Sequence, residues 1–178
     1  AHPDVRLAFN ISGMTVGNHE WLKVLTGHVG KHPNIAERMI VEITETAALA
    51  ESGETRNFVD VLRKLGCHVA LDDFGSGYST FRQLKMLPID YMKIDSSYVR
   101  NFVASESNKV LVRTLLDLAK AFKLKTIAEG IETSEECEAL SKEGIDLLQG
   151  YYFARPSLEK PWLEENEAAI KVANDDKA

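Results

Sequence analysis

Short apolar runs recur six times along the chain: "VRLAFNIS" (5–12), "RMIVEIT" (38–44), "CHVALDD" (67–73), "DYMKID" (90–95), "LKTIAEG" (124–130) and "DLLQGYYF" (146–153). Each is rich in β-forming residues, as a strand buried on both faces should be. Helical periodicity fills the intervals. Phe58, Val61, Leu62 and Leu65 fall at i, i+3, i+4 and i+7, and Val110, Leu111, Leu115, Leu118 and Phe122 repeat the pattern over 106–122. Thr133 with Glu136 three residues later reads as a capping box opening a helix over 133–140. Further helices are predicted near 19–30, 77–86 and 158–171. Strand and helix in strict alternation predict a parallel sheet with helical crossovers.

Two architectures satisfy that alternation, an open doubly wound sheet and a barrel. The open sheet calls for a glycine fingerprint after its first strand. "ISGMTVGNHE" (11–20) does not supply G-x-G-x-x-G. The reading is therefore an α/β fold, a TIM-like (β/α) barrel. A complete eight-unit barrel usually needs about 250 residues, so a chain of 178 with about six units is expected to form an incomplete one. Residues 1–163 are assigned to this partial barrel, and 164–178 to a helix end or linker tail.

In such barrels chemistry gathers at the C-terminal ends of the strands. Those ends here carry Asn10, Glu42, Asp72 with Asp73, Lys93 with Asp95, Glu129 and Gln149. Ala8 and Ala70 precede Asn10 and Asp72 on the same faces, leaving room beneath a polar layer. Two adjacent aspartates followed by "FGSGYST" can form an Asx-turn with glycines supplying positive φ. Such a turn does not require two acids, whereas a dication would resolve their repulsion. An Asp-Phe-Gly kinase reading fails, because no glycine-rich loop or H-R-D motif accompanies it.

Composition narrows the picture further. A net charge of −6 argues against binding polymeric nucleic acid through basic patches. Two cysteines 70 positions apart and unclustered histidines offer neither a zinc site nor a disulfide framework. No apolar run approaches the roughly 18 residues of a membrane span, and no signal peptide opens the sequence. A cytoplasmic setting with no membrane contact by this segment is expected, and a membrane-anchored parent protein is compatible with it.

"FNIS", "VEITE", "LDDFGSGYS", "MKID", "AEGIE" and "QGYYFARP" occur in that order over about residues 5–160. Together they resemble the EAL domain family, phosphodiesterases and receptors of the bacterial second messenger cyclic di-GMP. The resemblance implies hydrolysis of cyclic di-GMP to linear pGpG with two divalent ions, Mg²⁺ or Mn²⁺. It implies Asn10, Glu42, Asp72 and Asp73 as metal ligands, with Glu129 as the acidic residue near the metal pair. Lys93 resembles the lysine that orients the attacking water, with Asp95 beside it. Glu45 resembles the glutamate anchoring loop 74–80, while Glu132 and Gln149 resemble supporting residues at the edge of the site, Gln149 toward the substrate. An incomplete barrel leaves two sheet edges open to pairing with another chain, so a homodimer is expected, and neighbouring sensory or GGDEF-type domains are expected in the parent protein. The sequence departs from the family in one respect: no Glu-Ala-Leu motif lies upstream of "FNIS", and Glu138-Ala139-Leu140 falls on a predicted helix. The chain thus resembles the C-terminal two-thirds of an EAL domain. Two alternatives stay open, an inactive cyclic di-GMP-binding or dimerisation module, and a different Mg²⁺-dependent barrel enzyme of enolase type.

Overall fold

A computed structural model describes residues 5–49, 53–75 and 81–158. Six strands, β1 (Leu7–Ile11), β2 (Met39–Thr44), β3 (His68–Phe74), β4 (Tyr91–Ile94), β5 (Lys125–Ala128) and β6 (Leu147–Leu148), form one sheet. All five pairings are parallel, and the spatial order follows the chain order without a reversal. A doubly wound sheet needs a point at which the strand order reverses. Sequential order is instead the winding of a barrel, and the sheet is a curled half-barrel.

The helices are α1 (His19–Lys31), α2 (Pro33–Ala36), α3 (Glu45–Leu49), α4 (Gly53–Lys64), α5 (Phe81–Met86), α6 (Ser96–Val99), α7 (Glu106–Phe122) and α8 (Ser134–Glu143). The short α2, α3 and α6 carry no apolar period, and for that reason the sequence pattern misses them. The Thr133 cap is present: its hydroxyl accepts from Glu136 N–H, and the Glu136 carboxylate accepts from Thr133 N–H. Glu138-Ala139-Leu140 lies within α8, away from any strand end. The predicted helix beyond residue 158 and the tail 164–178 fall outside the described residues.

Alternation along each strand divides the sheet into two faces. Val41, Ile43, Val69, Leu71 and Met92 look outward and pack with Leu25, Val29, Phe58, Val59 and Leu62 of α1 and α4. Each of these large side chains contributes roughly 1.5–3 kcal/mol by leaving water. Ile94, Val99, Phe102, Val112, Leu116, Leu140 and Ile145 form a second cluster beneath α7 and α8. The buried face of α7 is Val112, Leu116 and Ala119, whereas Val110 and Leu111 are exposed. Of the predicted stripe, Leu115, Leu118 and Phe122 are half-buried against the core, and only its first turn misses, because an apolar helix with several valid i, i+4 chains does not reveal which chain is covered.

On the concave face, Ile40, Ala70, Tyr91 and Ile127 make a small apolar layer. Curvature lets Arg6, ahead of β1, donate from Nη1 to the Tyr91 hydroxyl on β4 at 2.5 Å. A cavity of about 1010 Å³ runs along this face, lined among others by Ala8, Ile40, Glu42, Ile127 and Gln149.

Candidate active site

The polar layer lies above Ile40, Ala70 and Tyr91, one side-chain step further along the strands. Register places Asn10 beside Glu42, and Lys93 beside Ile127. Lys93 Nζ sits at the centre, 2.6 Å from Glu42 Oε2, 2.8 Å from Asp72 Oδ1 and 2.5 Å from Glu129 Oε1. The Asn10 amide faces two carboxylates and so bonds through its NH₂ group. Its nitrogen then lies 3.0 Å from Asp72 Oδ2 and 3.2 Å from Glu42 Oε2. Five residues from five strands or strand ends thus meet in one hydrogen-bonded cluster.

Asp73 joins them by a local distortion. In a regular strand, neighbouring side chains point to opposite faces. The β3–β4 register shifts between Leu71 and Phe74, and Asp73 adopts φ 57°. Gly75 follows at φ 97°. Bulges re-aim side chains in this way, and here carboxylate oxygens of Asp72, Asp73 and Glu129 come within 4.8 Å of one another. A left-handed aspartate costs about 1–2 kcal/mol relative to ordinary backbone, a local strain of the kind that concentrates at functional sites.

Burial pulls the Lys93 ammonium toward neutrality, but its bonds to Asp72, Glu129 and Glu42 prevail and hold its pKa above the usual lysine value. Burial pushes the Glu129 carboxyl up, with Lys93 opposing and the charges of Asp72 and Glu42 adding to the rise. Asp73 is also raised, first by burial and then by the charges of Asp72 and Asp95. The four carboxylates Glu42, Asp72, Asp73 and Glu129 share one ammonium, so the cluster carries a surplus of negative charge. The donor set is oxygen, with no Cys or His, and that chemistry fits a hard divalent cation.

The remaining predicted residues are distributed around this centre. Glu45 opens α3, is buried, and lies close enough for its charge to act on Asp73. Asp95 does not join the Lys93 cluster: its Oδ1 accepts from Ser97 N–H at 2.9 Å and caps α6. Glu132 points to the rim, where Oε1 is 3.8 Å from the exposed Arg100 Nη2. Gln149 is exposed, lines the concave cavity, and links β5 to the following turn by backbone bonds to Ala128 and Ile131. Loop residues 76–80 lie outside the described set. Tyr151, Tyr152 and Phe153 are 53%, 47% and 53% exposed among the described residues. Sequence reasoning did not single out Tyr98, whose hydroxyl donates to Gly75 O and holds the turn after Asp73. Nothing in its spacing marks it, because the contact spans 23 positions.

A parallel barrel segment with an acid–lysine centre at its strand ends defines the class, and comparison with known proteins supplies the family. The EAL domain family model matches residues 1–156. The chain belongs to the EAL domain family. It is 34% identical over 154 residues to the cyclic di-GMP phosphodiesterase PdeF of Escherichia coli, covering 86% of this chain and 21% of PdeF. The EAL domain of Mycobacterium smegmatis DcpA superposes with a TM-score of 0.79 at 31% identity, covering 86% of this chain and 69% of that one. Klebsiella pneumoniae BlrP1, in a complex with manganese and cyclic di-GMP, gives 0.73 at 31% identity, covering 85% of this chain and 39% of that one. The chain spans about a fifth to a quarter of the length of the first curated relatives it matches. Family membership removes the ground for the enolase-like alternative.

Proposed function

We propose that this site hydrolyses one phosphodiester of cyclic di-GMP, giving linear pGpG. The observation that carries the reading is the convergence of Asn10, Glu42, Asp72 and Glu129 on Lys93, with Asp73 turned in beside them. Similarity to PdeF and BlrP1 supports the choice of substrate.

Asn10, Glu42 and Asp72 would hold one divalent ion, and Asp73 with Glu129 a second, the ions being Mg²⁺ or Mn²⁺. When bound, such ions supply positive charge for the phosphodiester and lower the pKa of water. Lys93 keeps its proton throughout, orients the attacking water and offsets charge developing on the phosphoryl oxygens. Water adds to phosphorus, the ester P–O bond breaks, and the departing sugar oxygen takes a proton. Gln149, on the wall of the concave cavity, is placed to contact the dinucleotide. Glu45 and Tyr98 position the turn after Asp73, Asp95 caps α6 beneath it, and Glu132 supports the rim through Arg100. In this reading the protein works in the cytoplasm as a homodimer, joined to sensory or GGDEF-type domains. Among the described residues, no helix is long and apolar enough to cross a membrane.

The test is incubation with cyclic di-GMP and Mn²⁺, with the products separated by chromatography, for this chain and for the full gene product. Formation of pGpG that Asp72→Asn abolishes is expected. Nucleotide binding with no product from either protein would overturn hydrolysis in favour of a binding module.

A further inference from the structure

The opposite end of the half-barrel carries the opposite charge. A second cavity of about 370 Å³ opens there, lined by Arg6, Arg63, His68, Asp90, Lys123 and Lys125 among others. These residues come from the starts of strands and the ends of helices. His68 and Lys125 open β3 and β5, Asp90 immediately precedes β4, and Arg6 precedes β1. Arg63 lies in the last turn of α4, and Lys123 caps α7. Backbone bonds fix this arrangement: Asp90 N–H donates to Val69 O at 2.8 Å, and Lys125 N–H donates to Asp90 O at 3.0 Å.

The charges do not cancel. Asp90, the acid named in this lining, is already engaged by Val69 N–H at 2.9 Å, His68 at 3.8 Å and Arg63 at 3.3 Å. Arg6 donates to the Tyr91 hydroxyl rather than to a carboxylate. Among the described residues, Arg6, Lys123 and Lys125 have no carboxylate within ion-pair distance. The C-terminal ends of α4 and α7 each present roughly half a negative charge, which accounts for Arg63 and Lys123 but not for Arg6 and Lys125. With the helix ends and Asp90 counted, a surplus of about two positive charges remains. Lys123 also holds φ 58°, a conformation in which glycine would be unstrained. The whole chain carries −6, so this is a local concentration against the trend of the sequence.

We propose that this basic mouth binds a small anion carrying two or more phosphoryl groups, at the far end of the half-barrel from the acidic centre. The surplus charge matches such a ligand, Arg6 and Arg63 offer planar donor pairs to phosphate oxygens, and the cavity admits a chain of linked phosphates. The inference stands independently of the hydrolytic reading.

The test is calorimetric titration of the protein with tripolyphosphate and, separately, with ATP. EDTA keeps metal from carrying phosphate to the acidic centre, and roughly physiological salt suppresses diffuse attraction. Saturable binding is expected, weakened at least tenfold in the double variant Lys123→Gln, Lys125→Gln. It should be unchanged in Lys120→Gln, Lys142→Gln, which alters outer helix faces, and in Asp72→Asn. Equal affinity for the two probes would assign a condensed phosphate, and tighter ATP binding a nucleotide; both support the site. No saturable binding, equal weakening in the Lys120, Lys142 control, or a tenfold change in Asp72→Asn would overturn it. Unchanged melting temperatures in the lysine variants exclude misfolding as the cause of any loss.

Discussion

Asp72 and Asp73 are consecutive residues of one strand, yet their carboxylates converge on the same point as Glu129. The register shift and the left-handed backbone of Asp73 make this possible. The repulsion between them is relieved in part by Lys93, 2.8 Å from Asp72, and together with burial it raises the pKa of Asp73. A bound dication would relieve the rest.

Asp72→Asn is therefore expected to abolish pGpG formation. Groups one layer away from a metal commonly change affinity by about 10–100-fold, so loss of a direct ligand should exceed roughly 100-fold. Turnover assays across a Mn²⁺ titration, with circular dichroism as a fold control, check this.

Lys93 is 2% exposed and is the shared cation of three carboxylates. Removing one partner from a buried ionic cluster leaves charge uncompensated, at a cost of about 3–5 kcal/mol. Lys93→Met should lower the stability in EDTA by about that amount, seen as a fall in melting temperature. Added Mg²⁺ or Mn²⁺ should restore part of it, since a dication replaces the missing charge. No recovery with either ion would count against a metal site among these carboxylates.

The raised pKa of Glu129 fixes a sign for pH dependence. A carboxyl whose folded pKa exceeds its unfolded value binds protons preferentially in the fold. Its ionisation thus opposes folding above the raised pKa, and that penalty fades as pH falls toward the ordinary carboxylate range. In EDTA, Glu129→Gln should melt higher than the parent protein at about pH 8 and lose that advantage as pH approaches the usual carboxylate pKa. Thermal melts of both proteins across that window decide the matter.

Two glycines should respond in opposite directions. A methyl group at Gly150 would stand 2.1 Å from Ile131 O, in backbone that has no flexible end to yield. Gly150→Ala should cost at least about 1–3 kcal/mol, the usual range for overpacking. Gly27 lies inside α1 with nothing within 4 Å. Gly27→Ala should stabilise by about 0.4–1 kcal/mol. Urea denaturation of the two variants measures both.

The sequence by itself determined the alternation of strand and helix, hence a parallel sheet. Apolar runs that end in polar residues are visible without any coordinates. It also held the candidate ligands, because strand C-termini collect chemistry and the polar residues there could be read in order. What it could not show was which side of α7 is covered at its first turn, since Val110 and Leu111 satisfy the same period as the buried Val112 and Leu116. Nor could it separate Asp95 from the cluster, because two residues on one strand share a face only while the strand continues, and β4 ends at Ile94. Only the tertiary structure brought Lys93 to three carboxylates from three other strands, turned Asp73 inward through a bulge, and gathered the basic mouth. Each of these depends on contacts between residues far apart in the chain, and local periodicity carries no record of them.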